Sequence, residues 1–377
     1  TWFQTTDAQF NTDALGDTET TGSGGVEVTT TIREAFAAYA EGTVQTPRYR
    51  LWNGTTWGDE QTGTSVGGTI RFVESAASQS RDEYMIVTQE ATGRVRAQVY
   101  DGVTDTTDDL HTVENAVSGL LYRGFDVTYE STSGDAMVAA CDGTEAVYSI
   151  WNGSSWTGPT AITLATTGNC NWIKLVSDPV SDEIVLVTRS AVATGAVDYE
   201  SLVWNGTAWG NSMTMGSMAE ANDEGISVEY EESGDRAVVV VSNGATAGFI
   251  WNAWTGAAWA GTATVALQDD FESGRLVRDL GSDNMVLCSI DQDGQMAYLR
   301  WNGSANSWTT PYATIDTLGN SKVGRPFGCE YETTAGRDGY IIMPYSDTTA
   351  ARYRVFDGTT FPAEASISTI QDSFEVR

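Results

Sequence analysis

The sequence predicts an all-β protein, a seven-bladed β-propeller of four-stranded antiparallel blades, from three observations. A phrase of aromatic, any residue, glycine, two spacers and aromatic recurs seven times, with its first aromatic at positions 52, 100, 151, 204, 254, 301 and 356. The period of about 50 residues accommodates the four short strands of one propeller blade. Thr, Val, Gly, Tyr and Trp are plentiful, as they are in strands and turns. Seven copies therefore predict seven equivalent blades in one closed array.

The third repeat shows the four strands of one blade. Residues 125–129 alternate between apolar and polar side chains, as a half-buried strand does. After a Ser-Gly-Asp turn, residues 136–140 are apolar throughout, which is typical of a strand buried on both faces. A third strand ends at Trp151, and a fourth passes through Trp156. The repeat is thus predicted to be an antiparallel meander.

The Asn-Gly pair in the phrase predicts a two-residue type I′ hairpin turn, whose central residues both need positive φ. In the first copy such a turn pairs Trp52 with Thr55 and Trp57 with Arg50, so both indoles project from one face. We expect these aromatics to pack one blade against the next. The alternative is that the second tryptophan of each pair is exposed and stacks on sugar rings. The tryptophans concerned are Trp52, Trp57, Trp151, Trp156, Trp204, Trp209, Trp254, Trp259, Trp301 and Trp308.

A second landmark is an aspartate in the first turn of six repeats. An aspartate in a turn accepts hydrogen bonds from nearby backbone N–H groups. We therefore expect each of them to cap its own turn. They are Asp82, Asp135, Asp182, Asp235, Asp283 and Asp338.

The closure of the ring is predicted from a strand that the first repeat lacks. Residues 34–41, 46–52 and 55–61 supply only three strands of blade one, and no Ser-Gly-Asp turn precedes them. The final segment, 373–377, resembles the opening strands of other repeats. We expect this C-terminal strand to complete blade one, so that the propeller takes residues 33–377.

This assignment leaves an N-terminal arm, residues 1–32. Its first part is polar and rich in Thr and Gly, and a strand-like run, 26–32, follows. Such a segment fits the edge of a neighbouring subunit's sheet as a donor strand, and a contact of this kind that does not close on itself builds a filament. The alternative is an arm that folds back over its own ring. The residues of the predicted assembly strand are Val26, Val28, Thr30 and Ile32.

The charge of the chain limits its partners. The formal net charge is −31, from 51 acidic and 20 basic residues. Such a surface repels nucleic acid and anionic lipid, so we expect neither partner. No run of about 18 apolar residues is present, so we expect no membrane insertion. The chain begins with Thr1 rather than Met, which favours a processed, exported protein.

Of the four cysteines, two stand near the ends of apolar runs, and each of the other two stands at or near the start of the run that opens the next repeat. If the blades lie side by side, they form two neighbouring pairs, and disulfides suit an exported protein. Four buried thiols remain the alternative. The pairs are Cys141 with Cys170 and Cys288 with Cys329.

The turn phrase also creates four Asn-Gly-Ser/Thr sequons, which are acceptors for N-glycosylation in an exported protein. The alternative is that Asn-Gly serves the turn and Ser/Thr the strand. The four asparagines are Asn53, Asn152, Asn205 and Asn302.

The sequence gives little support for catalysis. His111 is the single histidine and lies away from any nucleophile motif, so we expect a structural role for it and no enzymatic activity. We expect no cofactor. Weak calcium binding is a lesser hypothesis for two acidic segments, because the glutamate that completes an EF-hand loop is missing. These segments are Asp291 to Gly294 and the cluster of Asp101, Asp105, Asp108 and Asp109.

The tryptophan-rich, glycine-turn repeats resemble those of repeat propellers in the style of tectonins and fucose lectins. Their sugar-binding residues are not matched position by position here, so none is carried over. An exported, Thr-rich β module with an extra terminal strand also resembles subunits of extracellular microbial filaments. The leading hypothesis is an extracellular structural propeller that polymerises with itself through residues 1–32. The alternative is a secreted glycan-binding lectin or adhesin, and a propeller glycoside hydrolase is third.

Overall fold

A computed structural model describes residues 3–5, 35–53, 55–117, 120–166, 168–191, 198–216, 224–234, 236–244, 247–309, 313–317, 327–332, 336–337, 339–347 and 350–367. Within these ranges the chain forms strands, turns and irregular segments, and no residue is helical. Hence the described part holds no apolar helix long enough to cross a membrane. Several residues with predicted roles lie outside it: Val26, Val28, Thr30, Ile32, Asp235, Asp338 and the segment 373–377.

The strands form seven antiparallel sheets, one for each predicted blade. Blade one contains β1 (Phe3–Thr5), β2 (Ala35–Glu41), β3 (Arg48–Trp52) and β4 (Gln61–Thr62). Blade two contains β5 (Ile70–Ala77), β6 (Glu83–Glu90), β7 (Val95–Asp101) and β8 (Thr106–Glu114). Blade three contains β9 (Phe125–Tyr129), β10 (Ala136–Asp142), β11 (Glu145–Trp151) and β12 (Trp156–Ile162). Blade four contains β13 (Asn169–Ser177), β14 (Glu183–Ala191), β15 (Asp198–Asn205) and β16 (Trp209–Met215).

The remaining three blades follow the same order. Blade five contains β17 (Ile226–Tyr230), β18 (Ala237–Ser242), β19 (Phe249–Trp254) and β20 (Ala263–Val265). Blade six contains β21 (Phe271–Arg278), β22 (Met285–Asp291), β23 (Gln295–Asn302), β24 (Ser307–Trp308) and β25 (Ala313–Thr317). Blade seven contains β26 (Glu330–Tyr331), β27 (Ile341–Asp347), β28 (Ala350–Phe356) and β29 (Ala365–Ile367). In blade six, β24 and β25 both pair with β23 and together form its outer edge.

The seven-bladed propeller predicted from the repeats is thereby confirmed. Strands follow one another across each sheet, and the first strands of neighbouring blades two to six lie against each other around the axis. The core is divided between the blades: six clusters of buried apolar side chains fill the junctions from one/two through six/seven. Because each blade is only one sheet thick, burying both of its faces in this way removes most of the apolar surface from water.

The structure differs from the expected closure at blade one. The strand β1 pairs with β2, and β3 pairs with the other edge of β2. Both edges of β2 are therefore occupied, and the place predicted for the C-terminal segment is taken by Phe3–Thr5. The chain's N-terminal end thus contributes a strand to blade one, whereas the division at residue 32 places these residues outside the propeller.

The hairpin register also differs from the expected one. Trp52 pairs with Trp57, and the equivalent tryptophans pair in the same way, so the turn has four residues rather than two. The reason is that the Asn53 side chain accepts the backbone N–H groups of Thr55 and Thr56, at 3.0 and 2.9 Å, which holds a wider turn. Directly paired residues share one face of a sheet. Both indoles therefore project from one face, as expected, although the register differs from the expected one.

Alternate blades resemble each other more closely than neighbouring blades do. In blades three, five and seven the first strand ends in a tyrosine that is followed by a glutamate, at positions 129–130, 230–231 and 331–332. The corresponding residues in blades two, four and six are Ser78, Asp178 and Asp279, and each of the six donates its N–H across the first turn. The true repeat in this part of the chain is therefore a pair of blades.

The aspartates of the first turns cap their neighbours rather than themselves. Asp182 Oδ1 of blade four accepts the N–H groups of Thr132 and Ser133 in blade three, both at 2.8 Å. Asp283 of blade six accepts the N–H of Ser233 in blade five at 2.8 Å. The expectation of self-capping is wrong at these positions, because the turn of the preceding blade presents its free N–H groups to the aspartate. The aspartate thus joins adjacent blades.

Replacing Asp182 by Ala leaves two N–H groups of blade three without their acceptor. Because Thr132 and Ser133 are exposed, water replaces part of the lost interaction, and we expect the free energy of unfolding to fall by about 0.5–1.5 kcal/mol, measured by chemical denaturation. Asp182→Asn keeps Oδ1 as an acceptor and serves as the control, with a smaller loss expected. Equal losses in the two variants would contradict the inter-blade cap.

Candidate functional site

The aromatic pairs have nearly the same geometry in five blades. Their ring centroids lie 5.5 to 5.7 Å apart, with interplanar angles from 45° to 66°. In blades three to six each pair packs with the preceding blade. In blade one the pair is more open, and Trp57 is 41% exposed. The rings thus fill the junctions from two/three to five/six.

In blades four, five and six the first tryptophan of the pair is anchored by a carboxylate of the preceding blade, whereas the buried Nε1 of Trp151 in blade three has no partner among the described residues. Trp204 Nε1 donates to Glu130 at 2.6 Å, and Trp301 Nε1 donates to Glu231 at 2.7 Å. Burial raises the pKa of Glu130, against the opposing effect of its hydrogen-bond donors. A buried carboxylate needs such donors, since an unpaired one is costly. These glutamates are not among the residues predicted from the sequence, although the repeated Tyr-Glu dipeptide marks both of them.

The second tryptophan is anchored at some junctions and not at others. Trp156 Nε1 donates to the backbone oxygen of Asp109 at 2.9 Å, and Trp259 Nε1 donates to that of Asn211 at 2.7 Å. Both acceptors have positive φ, 54° and 49°, in the outer strand of the preceding blade. This left-handed conformation suits Asn and Asp among non-glycine residues. The carbonyl group of each acceptor thus binds the indole of the next blade.

Glycines stand at the corresponding positions of blades three and five. Gly158 and Gly261 have φ of 96° and 107°, outside the conformation of Asp109 and Asn211. The facing indole nitrogens, in Trp209 and Trp308, are buried and have no hydrogen-bond partner within the described part of the chain. Junctions three/four and five/six therefore each retain an unused N–H donor.

A groove lies at the outer rim of junction three/four, beside one of these donors. Its volume is about 320 Å³. Tyr148 packs edge-on against Trp204, at 5.4 Å between ring centroids, and against Trp209, at 6.2 Å. No charged side chain lines the groove, whose walls are formed by Tyr148, Ala161, Ile162, Thr163, Leu202, Thr207, Ala208 and Trp209.

Single residues explain why other junctions are filled. In blade five, Phe249 packs edge-on against Trp308 at 5.2 Å, and the equivalent strand position of blade three is Ala146. At junction two/three, His111 stacks on Trp156 with centroids 4.6 Å apart and an interplanar angle of 7°. Blade three thus has the methyl group of Ala146 where blade five has the benzyl group of Phe249. Ile162, the cross-strand partner of Ala146, lines the groove.

The four sequon asparagines all lie in the turn between the third and fourth strands of a blade. Asn53, Asn152 and Asn205 are exposed, whereas Asn302 is half-buried. Asp357 takes the same position in blade seven, where hydrogen bonds from Thr360 and Thr359 lower the pKa of its carboxyl to about 2.

The cysteines join blades across two junctions. Cys141 of β10 forms a disulfide with Cys170 of β13, between blades three and four. Cys288 of β22 forms a disulfide with Cys329, between blades six and seven. Crosslinks of this kind stabilise a fold by restricting the unfolded chain.

A buried charge network near the axis was not foreseen. Arg123 of blade three bonds Glu74 of blade two and, at 3.2 Å, Glu224 of blade five. Lys174 of blade four lies 3.7 Å from Glu224. Burial, reinforced by Glu74, raises the pKa of the nearby Asp126 carboxyl. The network ties four blades together, and its opposite charges compensate one another.

The acidic segments considered for calcium use their carboxylates within the fold. Asp101 Oδ1 accepts the N–H of Val103 at 2.8 Å, and Asp291 Oδ1 accepts that of Gln295 at 2.8 Å. Asp105 accepts the hydroxyl of Tyr100 at 2.9 Å. Among the described residues, no three His, Cys, Asp or Glu side chains are grouped to hold a metal ion.

No family model and no curated protein matches the chain. Among solved structures, the dihydro-haem d1 dehydrogenase NirN is similar at a TM-score of 0.56 and 12% identity, over 90% of this chain and 64% of that one. A fucose-specific lectin from Aleuria aurantia has a TM-score of 0.47 at 12% identity, over 79% and 94%. An ulvan lyase has a TM-score of 0.49 at 11% identity, over 83% and 88%. The likeness to NirN supports the propeller fold, and none of these similarities transfers an activity.

His111 predicts a pH dependence of stability. Burial lowers the pKa of its imidazole below the ordinary value of about 6.5. The neutral ring is therefore favoured in the folded state, and its contribution is present above pH about 6.5 and is lost as pH falls through the folded pKa. We expect the free energy of unfolding of the native chain to decrease more than that of His111→Gln between pH about 7 and about 5. Parallel curves from urea denaturation would contradict this role.

Proposed function

We propose that the protein is a secreted, non-enzymatic carbohydrate-binding propeller and that its sugar site is the groove at junction three/four. The observation that carries the proposal is the unused indole N–H of Trp209 beside an aromatic groove. Binding sites commonly combine apolar and aromatic walls with a few polar groups that fix orientation. The groove has this composition.

The chemistry of the groove matches that of a sugar ring. A pyranose has C–H faces that pack on aromatic rings and hydroxyl groups that exchange hydrogen bonds. Tyr148 and Trp209 supply the rings, the Thr163 hydroxyl can donate or accept, and the Thr207 hydroxyl, whose hydrogen is donated to Asn205, supplies an acceptor. The Trp209 Nε1 atom is buried in the free protein, so a ligand hydroxyl that accepts its N–H requires a small rotation of the indole, and the bond then satisfies a buried donor, which is worth about 1 kcal/mol or more.

The charge distribution selects the class of sugar. The groove walls carry no charge, and the protein has a formal net charge of −31. Sulfated and uronic acid sugars would be repelled by this surface. We therefore infer a neutral sugar residue. The two disulfides support export, because such bonds persist in oxidising compartments.

The sugar site is tested by a glycan array of neutral, sulfated and uronic acid-containing oligosaccharides, followed by calorimetry with the strongest ligand. Trp209→Phe removes the N–H donor and part of the ring face, so we expect affinity to fall about tenfold, or about 1.4 kcal/mol. Ala146→Phe introduces the side chain that blade five carries and should abolish binding.

Trp259→Phe is the matched control, because the indole N–H of Trp259 already bonds Asn211. It should leave sugar affinity unchanged even if stability falls. Equal loss of binding in the Trp209 and Trp259 variants, or binding only of acidic sugars, would contradict the groove as the site. Denaturation curves of all variants separate unfolding from loss of the site.

Polymerisation through the N-terminus is a second candidate, favoured by the pairing of β1. Phe3–Thr5 completes blade one with backbone hydrogen bonds, and the segment 6–34 separates it from β2. Backbone pairing is independent of which copy supplies the strand, so a second copy's strand fits the same edge. A chain of such exchanges is an open, head-to-tail assembly.

Deleting residues 1–5 tests this candidate. If copies exchange the strand, assemblies of the native chain seen by electron microscopy and sedimentation should become monomers on deletion. A deletion of residues 20–24 shortens the segment but keeps the strand, and assembly should persist. Filaments that survive the loss of residues 1–5, or a native protein that is monomeric, would exclude strand exchange.

A further inference from the structure

The four sequons lie on one face of the ring. In each blade the turn between the third and fourth strands is at the same end of the sheet, and the turns of blades one, three, four and six carry Asn-Gly-Ser/Thr. Three of these asparagines, Asn53, Asn152 and Asn205, are exposed, and Asn302 is half-buried. The residue that follows Asn302 is also crowded, since a Cβ on Gly303 would lie 2.3 Å from the backbone oxygen of Asp283.

The exposed asparagines share one side-chain arrangement. The Oδ1 atom of Asn205 accepts the N–H of Thr207 at 3.0 Å and the Thr207 hydroxyl at 2.9 Å. Asn53 and Asn152 do the same with Thr55 and Ser154, whose hydroxyl groups are each 2.9 Å away. The oxygen of the amide is thus committed to the turn.

Other blades show that the turn needs only this oxygen. In blade seven, Asp357 Oδ1 accepts the N–H of Thr359 at 2.9 Å and its hydroxyl at 2.8 Å. In blade two, Asp101 caps the same turn. A carboxylate therefore replaces the amide without loss of the cap, and the Nδ2 atom of asparagine is not required by the fold.

We propose that Asn53, Asn152 and Asn205 are N-glycosylated, and that glycans consequently cover the turn face of blades one, three and four. The co-reactant is an oligosaccharide carried on a lipid phosphate or pyrophosphate, and a transferase joins it to the chain. Nδ2 attacks the anomeric carbon, an N–C bond forms, the C–O bond to the phosphate breaks, and Nδ2 loses one proton. The hydroxyl residue of each sequon already contacts the acceptor amide.

The modification at Asn205 has a particular location. Thr207 belongs to this sequon and also lines the groove at junction three/four. A glycan on Asn205 therefore begins at the edge of the groove, whereas a glycan on Asn152 begins one blade away. The proposed glycosylation of Asn205 does not depend on whether the groove binds a sugar.

Peptide mass spectrometry of the protein purified from its own cells tests the proposal. We expect fragment ions of intact glycans on peptides that contain Asn53, Asn152 and Asn205, with lower occupancy at Asn302. Unmodified asparagine at the first three positions would overturn the proposal. So would aspartate alone, which arises when Asn-Gly deamidates.

Matched variants expressed in the same cells identify the acceptor atom. Asn205→Asp keeps the Oδ1 cap and should lose the mass of one glycan while the protein remains folded. Thr207→Ser retains the sequon and should retain the glycan, whereas Thr207→Val should lose it. An unchanged mass in Asn205→Asp or Thr207→Val would overturn the assignment at this site.

Discussion

The hydrogen bond between a buried indole N–H and a carboxylate of the preceding blade orients the blades at three consecutive junctions, three/four to five/six, and the ring depends on these junctions. Trp204 bonds Glu130 in this way, and Trp301 bonds Glu231. A blade one sheet thick buries little apolar area alone, so it needs its neighbours. Apolar contact does not fix their relative orientation, whereas a directional bond to a buried carboxylate does, because misalignment leaves a charge unpaired.

Much of the fold follows from the sequence, because the repeated phrase counts the blades and its apolar runs identify their strands. Several details did not follow, and two of them show the reason. The Asn-Gly turn has four residues because Asn53 caps it with its side chain, and Asp182 binds the turn of the neighbouring blade instead of its own. In both cases residue preference indicates a turn and an acceptor, but the partner is selected by distances between strands that sequence spacing does not contain.

The groove could not be predicted, because it arises from differences between repeats rather than from what they share. It lies in the blade that has Ala146 where blade five has Phe249, and Gly158 where neighbouring blades have Asp109 and Asn211. Each difference is a single side chain, and its effect is visible only when two blades are in contact. The axial network of Arg123 is likewise distributed over four blades. The repeated residues therefore predict the propeller fold, whereas the groove is found where single residues depart from the repeat.

The two-blade repeat has a consequence for a ring of seven. Blades of one kind alternate with blades of the other from two to seven, but an odd number cannot alternate all the way around. The alternation must therefore break at one of the two junctions of blade one, which is also the blade to which the strand Phe3–Thr5 is added. A nearly periodic ring thereby has one blade that differs from the rest. Each of the other blades has a different position relative to it, so the blades are not equivalent by symmetry.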